Sequence, residues 1–302
     1  MSFIELDDFR QAAMVAKNEL IKGMRGKKFL VSLAVILLVF VLITVIPYAT
    51  GGTWSGKAAS DILSSYLSYI SMISLLIVAL LSSVAIVSEF EERTALILFT
   101  RPIKRTTIFL GKLMACFAIT ALIMLVYYLL VTAMLAIFAG TIPWELIISL
   151  CFCLLYVFAA SGIAFIISAF LKKSSVATII TLLGLLMVIP IVSTMIGGDT
   201  WYMLDTAGNT IITCVPEYVD SYNAIIYEWV EYMQKAIDYM NLSGDAEIMQ
   251  VAAIMQGMVD SYMFGMMEPI ATPDLLREAG ILIAWGVSAY FIAWLKFIRR
   301  EF

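Results

Sequence analysis

Histidine is absent from this chain of 302 residues, and charged residues make up only 14% of it. The lack of histidine removes the commonest metal ligand and the usual proton shuttle near neutral pH. It excludes Ser-His and Cys-His catalysis and any zinc site that needs histidine. Hydrophobic residues reach 62%, against about 45–50% in soluble domains. A soluble fold of this length cannot bury that excess, so lipid is the expected solvent.

Cysteine is scarce, and no phosphate-binding loop occurs. Three of the four cysteines, Cys116, Cys151 and Cys153, lie in apolar runs, and only Cys214 lies outside them. A free cysteine in such a run behaves as a small hydrophobe, so we predict no disulfide framework and no metal site. A Walker A loop needs G-x-x-x-x-G-K-[ST], and the nearest candidate, residues 23–28, has the wrong spacing. If ATP drives this protein, a separate polypeptide binds it.

Six stretches are apolar enough to cross a bilayer, which takes about 20 mostly apolar residues. The third is longer than a bilayer requires, so it tilts or projects. Gly184 and Pro190 predict a bend in the fifth. The predicted fold class is an all-α integral membrane protein with six transmembrane helices. The predicted spans are Phe29–Ala49, Ile62–Val87, Thr107–Ala139, Glu145–Leu171, Val176–Ile196 and Ala279–Ile298.

Lysine and arginine are unevenly divided between alternate loops. If the N-terminus is cytoplasmic, only Lys57, Lys235 and Arg277 of the 19 basic residues face outward. Cytoplasmic loops carry the excess of basic residues in membrane proteins. We therefore expect a multi-pass protein of the plasma membrane with both termini in the cytoplasm, and no nucleic-acid partner. The basic residues on the inner side are Arg10, Lys17, Lys22, Arg25, Lys27, Lys28, Arg93, Arg101, Lys104, Arg105, Lys112, Lys172, Lys173, Lys296, Arg299 and Arg300.

The segments outside the spans complete the predicted organisation. Near the N-terminus, apolar residues recur at helical spacing with Lys17, Lys22 and Arg25 between them. This pattern predicts an amphipathic interfacial helix on the inner leaflet. The four predicted segments are this helix at 1–28, spans one to five at 29–196 with a loop at 88–106, a helical extracytoplasmic segment at 197–278, and the sixth span with a basic C-terminus at 279–302.

The outer segment between the fifth and sixth spans is acidic and rich in methionine. Its apolar residues recur at three- and four-residue steps, which predicts a helix over Pro216–Met240 and a second over Asp245–Met267. Thioethers can bind Cu(I), but methionine more often fills irregular apolar contacts. We favour packing, because no histidine accompanies the methionines. They are Met240, Met249, Met255, Met258, Met263, Met266 and Met267.

The most informative stretch joins the second and third spans and reads SEFEERTALILFTRPIKRTTIFLGK over residues 88–112. Four charges in five residues are followed by the apolar run Ala95–Phe99, which is too short to cross a membrane. Pro102 then disfavours helical geometry at Arg101. These features predict a short helix roughly parallel to the membrane. The alternative is a simple connecting loop. Such a loop does not need four charges followed by an apolar run and a proline, so we favour an element that docks a cytoplasmic partner.

This stretch resembles the same region of type-2 ABC exporter permeases. The resemblance rests on Glu89, on Arg93-Thr94 before apolar residues, and on Arg101-Pro102-Ile103 followed by Arg105 and Gly111-Lys112. It extends to the six-span layout, the amphipathic N-terminal helix and the large outer segment. In that family this position holds the coupling helix that docks on the ATPase subunit.

The resemblance implies that the chain is the permease of an ATP-driven exporter and is not an enzyme by itself. It implies a separate ATPase in two copies, which binds ATP and Mg²⁺, and a second permease chain that forms a homodimer or is a similar subunit. No cofactor is expected in this chain. The implied ATPase-docking residues are Glu89, Glu91, Glu92, Arg93, Thr94, Leu96, Phe99 and Arg101.

Serines recur along one face of the second span, among them Ser64, Ser68 and Ser71. Small polar residues let membrane helices pack closely, although the same face could line a translocation cavity. We favour packing, and a cavity at a dimer interface would satisfy both interpretations. Ionisable residues such as Lys112 are placed near span ends, which disfavours a proton-coupled transporter. The alternative function is a non-transporting scaffold or sensor whose outer helical segment binds a partner.

Overall fold

All secondary structure is helical in the residues that the computed structural model describes, which are 6–91, 104–196, 202–242, 245–265 and 269–299. Six of these helical stretches are long and apolar enough to cross a membrane. They confirm the predicted all-α fold class with six spans. Their bounds are Lys27–Ala49, Ala59–Leu81, Arg105–Phe138, Glu145–Phe170, Ser174–Ser193 and Leu275–Ile298.

The helices are labelled in chain order. In the first half of the chain they are α1 (Leu6–Arg25), α2 (Lys27–Ala49), α3 (Ala59–Leu67), α4 (Ile70–Leu81), α5 (Val87–Glu91), α6 (Arg105–Phe138) and α7 (Glu145–Phe170). In the second half they are α8 (Ser174–Leu183), α9 (Ile189–Ile196), α10 (Leu204–Gly208), α11 (Thr210–Thr213), α12 (Pro216–Leu242), α13 (Ala246–Gly265) and α14 (Leu275–Ile298).

The fifth span contains a π-helical turn at Gly184–Val188, between α8 and α9. Pro190 follows this turn, and a proline removes one backbone donor and crowds the carbonyl four residues earlier. A π-turn is one way in which a helix accommodates such a local misfit. Of the two residues predicted as bend points, Gly184 begins the irregular turn and Pro190 lies two residues after its end.

The second span is divided into α3 and α4, and hydrogen bonds near this break connect the first three spans. The carbonyl of Tyr66 accepts a hydrogen bond from the Tyr127 hydroxyl at 2.7 Å. The hydroxyls of Tyr66 and Thr44 are 2.9 Å apart, and the indole N–H of Trp54 donates to the Thr44 carbonyl at 2.9 Å. These bonds connect the first three spans at this end of the bundle.

The fourth and sixth spans, α7 and α14, pack closely through small residues. A Cβ at Gly162 would lie 2.9 Å from the Cβ of Ala289, and one at Gly286 would overlap the Phe158 ring. The hydroxyls of Ser161 and Tyr290 are 2.6 Å apart. Small residues let membrane helices approach one another in this way. Since residues 158–162 meet residues 286–290 in the same order, the two helices are parallel.

The segment between the fifth and sixth spans is helical, as predicted. Its short helices α10 and α11 lie against α7 and α14. The Ser149 hydroxyl donates to the carbonyl of Ile211 at 2.7 Å, and the Trp285 indole donates to the carbonyl of Tyr202 at 2.8 Å. Next, α12 and α13 form a hairpin in which Met233, Met240 and Met255 pack with Ile237, Ala252 and Val259. These are apolar packing contacts, the role that we favoured for the methionines.

Candidate functional site

The predicted docking residues divide into two groups. Glu89 and Glu91 lie on α5, whereas Glu92, Arg93, Thr94, Leu96, Phe99 and Arg101 lie outside the described residues. The short helix predicted at Ala95–Phe99 also lies outside them and stays a prediction. We call residues 92–103 the α5–α6 loop. The structure shows how the helices on its two sides are held.

The start of α5 is fixed by a serine of the fourth span. The hydroxyl oxygen of Ser168, in the last turn of α7, accepts hydrogen bonds from the backbone N–H groups of Ile86 and Val87 at 3.1 and 3.0 Å. The first N–H groups of a helix have no partner within the helix, so a side-chain oxygen stabilises its N-terminus. A helix of five residues gains from this cap because it has few internal bonds of its own.

Glu89 joins α5 to a cluster of four charges, of which Glu89 and Lys112 are buried, Glu19 is half-buried and Lys22 is exposed. Its Oε1 lies 2.9 Å from the Lys112 ammonium of α6 and 3.5 Å from that of Lys22 on α1. Lys112 also lies 3.2 Å from Glu19 of α1. We call Glu19, Lys22, Glu89 and Lys112 the charge cluster. Its two positive and two negative charges balance, which offsets part of the large cost of burying a charge.

Glu91, the last residue of α5, contacts the fifth span. Its Oε2 accepts a hydrogen bond of 2.8 Å from the backbone N–H of Ser174, where α8 begins. A carboxylate at this position satisfies a free donor and interacts favourably with the helix dipole. Hydrogen bonding from Ser174 is the main cause that lowers the pKa of Glu91, with Lys173 and Lys28 adding to it. Glu89 and Glu91 thus tie one short helix to α1, α6 and α8.

The other side of the loop is anchored as well. Lys104 pairs with Asp8 of α1 at 2.7 Å, and Arg105 donates to the carbonyl of Ile298 at 2.9 Å. Ile298 is the last residue of α14, so the chain that leaves the loop is held by α1 and by the sixth span. The chain before and after the α5–α6 loop is therefore held by contacts with α1, α6, α7, α8 and α14.

The helix predicted near the N-terminus is present as α1, and it lies along the first half of α6. A Cβ at Gly111 would be 2.7 Å from the Cβ of Val15, and one at Gly23 would overlap Ile119. Contacts advance together along the two helices, from Asp8–Lys104 to Gly23–Ile119, so they run parallel. The opposite side of α1 exposes Phe9, Met14 and Ile21. Its position on a membrane surface stays a prediction.

The centre of this site is not among the residues predicted from sequence. Lys112 is predicted to be a charge near a span end, whereas the residue is only 3% exposed and contacts two carboxylates. Glu19 has no predicted role. One signal was available: Ala12, Glu19 and Gly23 share a face of α1 at helical spacing, and a carboxylate on a face of small residues indicates a buried partner.

The three serines predicted to line an interface or cavity lie on the less covered side of the second span. Ser68 is exposed, and Ser64 and Ser71 are half-buried. The hydroxyls of Ser64 and Ser68 donate to carbonyls of their own helix, those of Asp61 and Ser64, at 3.2 and 2.7 Å. These two bonds use the single O–H of each serine, so each hydroxyl can still accept a hydrogen bond from a neighbouring surface.

The family follows from comparison with known proteins. The sequence matches the family described as ABC-2 family transporter protein over residues 13–300, which is nearly the whole chain. The chain belongs to this family. As an ABC-2 permease it is the membrane component of an ABC transporter, is not itself the catalytic subunit and works with a partner ATPase. No curated protein matches the chain significantly.

Proposed function

We propose that this ABC-2 permease belongs to an ATP-driven exporter whose ATPase docks on the α5–α6 loop. The observation that supports it is the double anchoring of that loop. Glu89 and Glu91 fix the chain that enters the loop, and Lys104 and Arg105 fix the chain that leaves it. A force on a loop with fixed ends is passed to the helices that hold it, whereas a free loop would absorb the force.

The anchors determine where such a force would go. Through Glu91 it reaches the fifth span, and through Arg105 it reaches the end of the sixth. Through the charge cluster it reaches α1 and the third span. In the proposed complex, two ATPase subunits bind ATP and Mg²⁺, and their movement during ATP turnover shifts these helices together. The excess of basic residues on one side supports an orientation with the loop and both termini in the cytoplasm, and the proposed location is the plasma membrane.

The proposed complex also contains a second permease chain, either a second copy or a similar subunit. Only Ser32 and Ile36 are buried among the residues of α2. On the fifth span, Ile179 and Met187 are more than half exposed. Lipid can cover such faces, and so can another chain, because association in membranes depends on close packing and on interhelical hydrogen bonds. The less covered serines of the second span would supply hydrogen bonds there.

Affinity purification of the tagged chain from its native membrane tests this proposal. We expect an ATPase with Walker A and ABC signature motifs to co-purify at about one copy per permease, identified by mass spectrometry. A second copy with a different tag should be captured in the same complex if the permease is a homodimer. Recovery of the intact permease without any ATPase would contradict the proposal and favour a scaffold or sensor.

A further inference from the structure

We infer that α1 binds anionic phospholipids through the face that it turns away from the bundle. The ligand is the negatively charged headgroup layer of the leaflet beside which α1 lies. Lipid binding at this face does not depend on where the ATPase docks, because none of its residues belongs to the α5–α6 loop. We call this face the outward face of α1, and its members are Phe9, Arg10, Met14, Lys17, Ile21, Met24 and Arg25.

Four large apolar side chains on the outward face are exposed. Phe9 and Met14 are 59% and 60% exposed, and Ile21 and Met24 are 40% and 39% exposed. At 3.6 residues per turn, these four residues fall within an arc of about 140° on one side of the helix. Water around them would leave a continuous apolar strip unburied. The outward face therefore favours an apolar environment that the described part of this chain does not supply.

The charges of α1 are sorted between its two sides. Between residues 9 and 25 the only acid is Glu19, and its carboxylate lies 3.2 Å from Lys112 of α6. The preceding acid, Asp8, pairs with Lys104 at 2.7 Å. Both acids are therefore directed toward α6. Over residues 9–25, the charges that remain on the outward face are all positive.

Those positive charges are Arg10, Lys17 and Arg25, and all three side chains are exposed. Within the described part of the chain, none of the three forms an ion pair. They lie on the same side of the helix as the four apolar residues. This arrangement suits an anionic bilayer surface, because the apolar side chains enter the acyl boundary while the cations contact the phosphates.

The position of α1 brings its outward face close to the membrane. Only Gly26 separates the end of α1 from the first span. The other side of α1 lies along the start of α6, where Lys104, Arg105 and Lys112 precede the uncharged run 113–138. That run is long enough to cross a bilayer by itself, so the basic start of α6 lies near the headgroups. Lipid is thus within reach of the outward face, and a soluble partner would have to compete with it.

A triple change, Arg10→Gln, Lys17→Gln and Arg25→Gln, tests the role of the charges. The fold should persist, because these side chains form no ion pair in the described residues. Each basic residue near an anionic membrane strengthens binding about fivefold. We therefore expect the triple variant to lower the ratio of docked to undocked α1 on the order of a hundredfold in an anionic bilayer.

The matched control removes three other exposed basic residues from the predicted inner side. It lowers the net charge by the same amount but leaves α1 unaltered, so it should dock as the reference chain does. The control changes are Lys172→Gln, Lys296→Gln and Arg299→Gln.

The readout is the depth of position 14 in the bilayer. A fluorescent dansyl amino acid replaces Met14 in the full chain, which is reconstituted in nanodiscs and quenched by a spin-labelled lipid. The discs contain phosphatidylcholine alone or equal parts of phosphatidylcholine and phosphatidylglycerol. For the reference chain and the control we expect stronger quenching in the anionic discs, and high salt should reduce the difference. The triple variant should be quenched about equally in both kinds of disc.

Three results would overturn the lipid assignment. The first is equal quenching of the reference chain in the two kinds of disc. The second is the same response to phosphatidylglycerol in the triple variant and in the control. The third comes from the complex that carries the ATPase, in which loss of quenching at position 14 would assign the outward face to the ATPase. Quenching that persists in the complex would support lipid binding.

Discussion

Replacing Lys112 by methionine is expected to lower the free energy of unfolding by about 3–5 kcal/mol, the usual cost of removing one partner from a buried ion pair. Methionine keeps the unbranched apolar stem but removes the charge that contacts Glu19 and Glu89. Lys22 compensates only in part, because it is 3.5 Å from Glu89 and largely exposed. Denaturant titration of the purified permease in mixed micelles measures the change.

Two further variants show whether charge or packing causes the loss. Lys112→Arg retains the positive charge and should lose much less stability. The triple change Lys112→Met, Glu19→Gln and Glu89→Gln removes the three central charges together and should recover most of the stability, because neutral groups cost less to bury. A triple variant as unstable as Lys112→Met, or a Lys112→Met chain within about 1 kcal/mol of the unaltered chain, would refute the electrostatic explanation.

The double change Glu91→Ala and Arg93→Ala is expected to reduce the ATPase retained on the purified permease by about tenfold or more, as loss of closely paired interface charges does. Glu91 holds the end of α5 against the start of α8 through the N–H of Ser174. Arg93 lies outside the described residues, and the resemblance to type-2 exporters implies that it faces the ATPase. The ratio of ATPase to permease after gel filtration measures the effect.

The matched control removes the same number of charges from the predicted outer side. Lys57→Ala with Glu231→Ala also deletes one basic and one acidic residue, but it should leave the ATPase ratio unchanged. Membrane insertion should be unaffected in both double variants, because the altered residues lie outside the six spans. Equal ATPase retention in the two double variants would show that the α5–α6 loop is not the docking surface.

The spans could be predicted from sequence because their main requirement is local. A run such as Lys27–Ala49 crosses the membrane because lipid accepts apolar side chains and every backbone group is satisfied within the helix. The helix α12 followed from its own periodicity, and the predicted bend points Gly184 and Pro190 lie at the irregular turn in the fifth span. None of these features depends on knowing which distant residues are neighbours.

The charge cluster could not be predicted in the same way, because its members are distant in sequence. Glu19 and Lys112 are 93 positions apart, and Glu89 and Lys112 are 23 apart. Their pairing depends on α1 lying along α6, and this in turn depends on Val15 filling the space beside Gly111. From sequence alone, the general excess of basic residues on the inner side was a sufficient explanation for Lys112.

Photo-crosslinking from the loop is the most direct test of the central claim that the α5–α6 loop receives the ATPase. A photoreactive benzoylphenylalanine is placed at Phe99, in the predicted docking helix, and in a second chain at Tyr239, which is 80% exposed on α12. Both chains are irradiated in native membranes, and the crosslinked polypeptides are identified by mass spectrometry. We predict an ATPase adduct from position 99 and none from position 239. No adduct from position 99, or an ATPase adduct from position 239, would contradict the account.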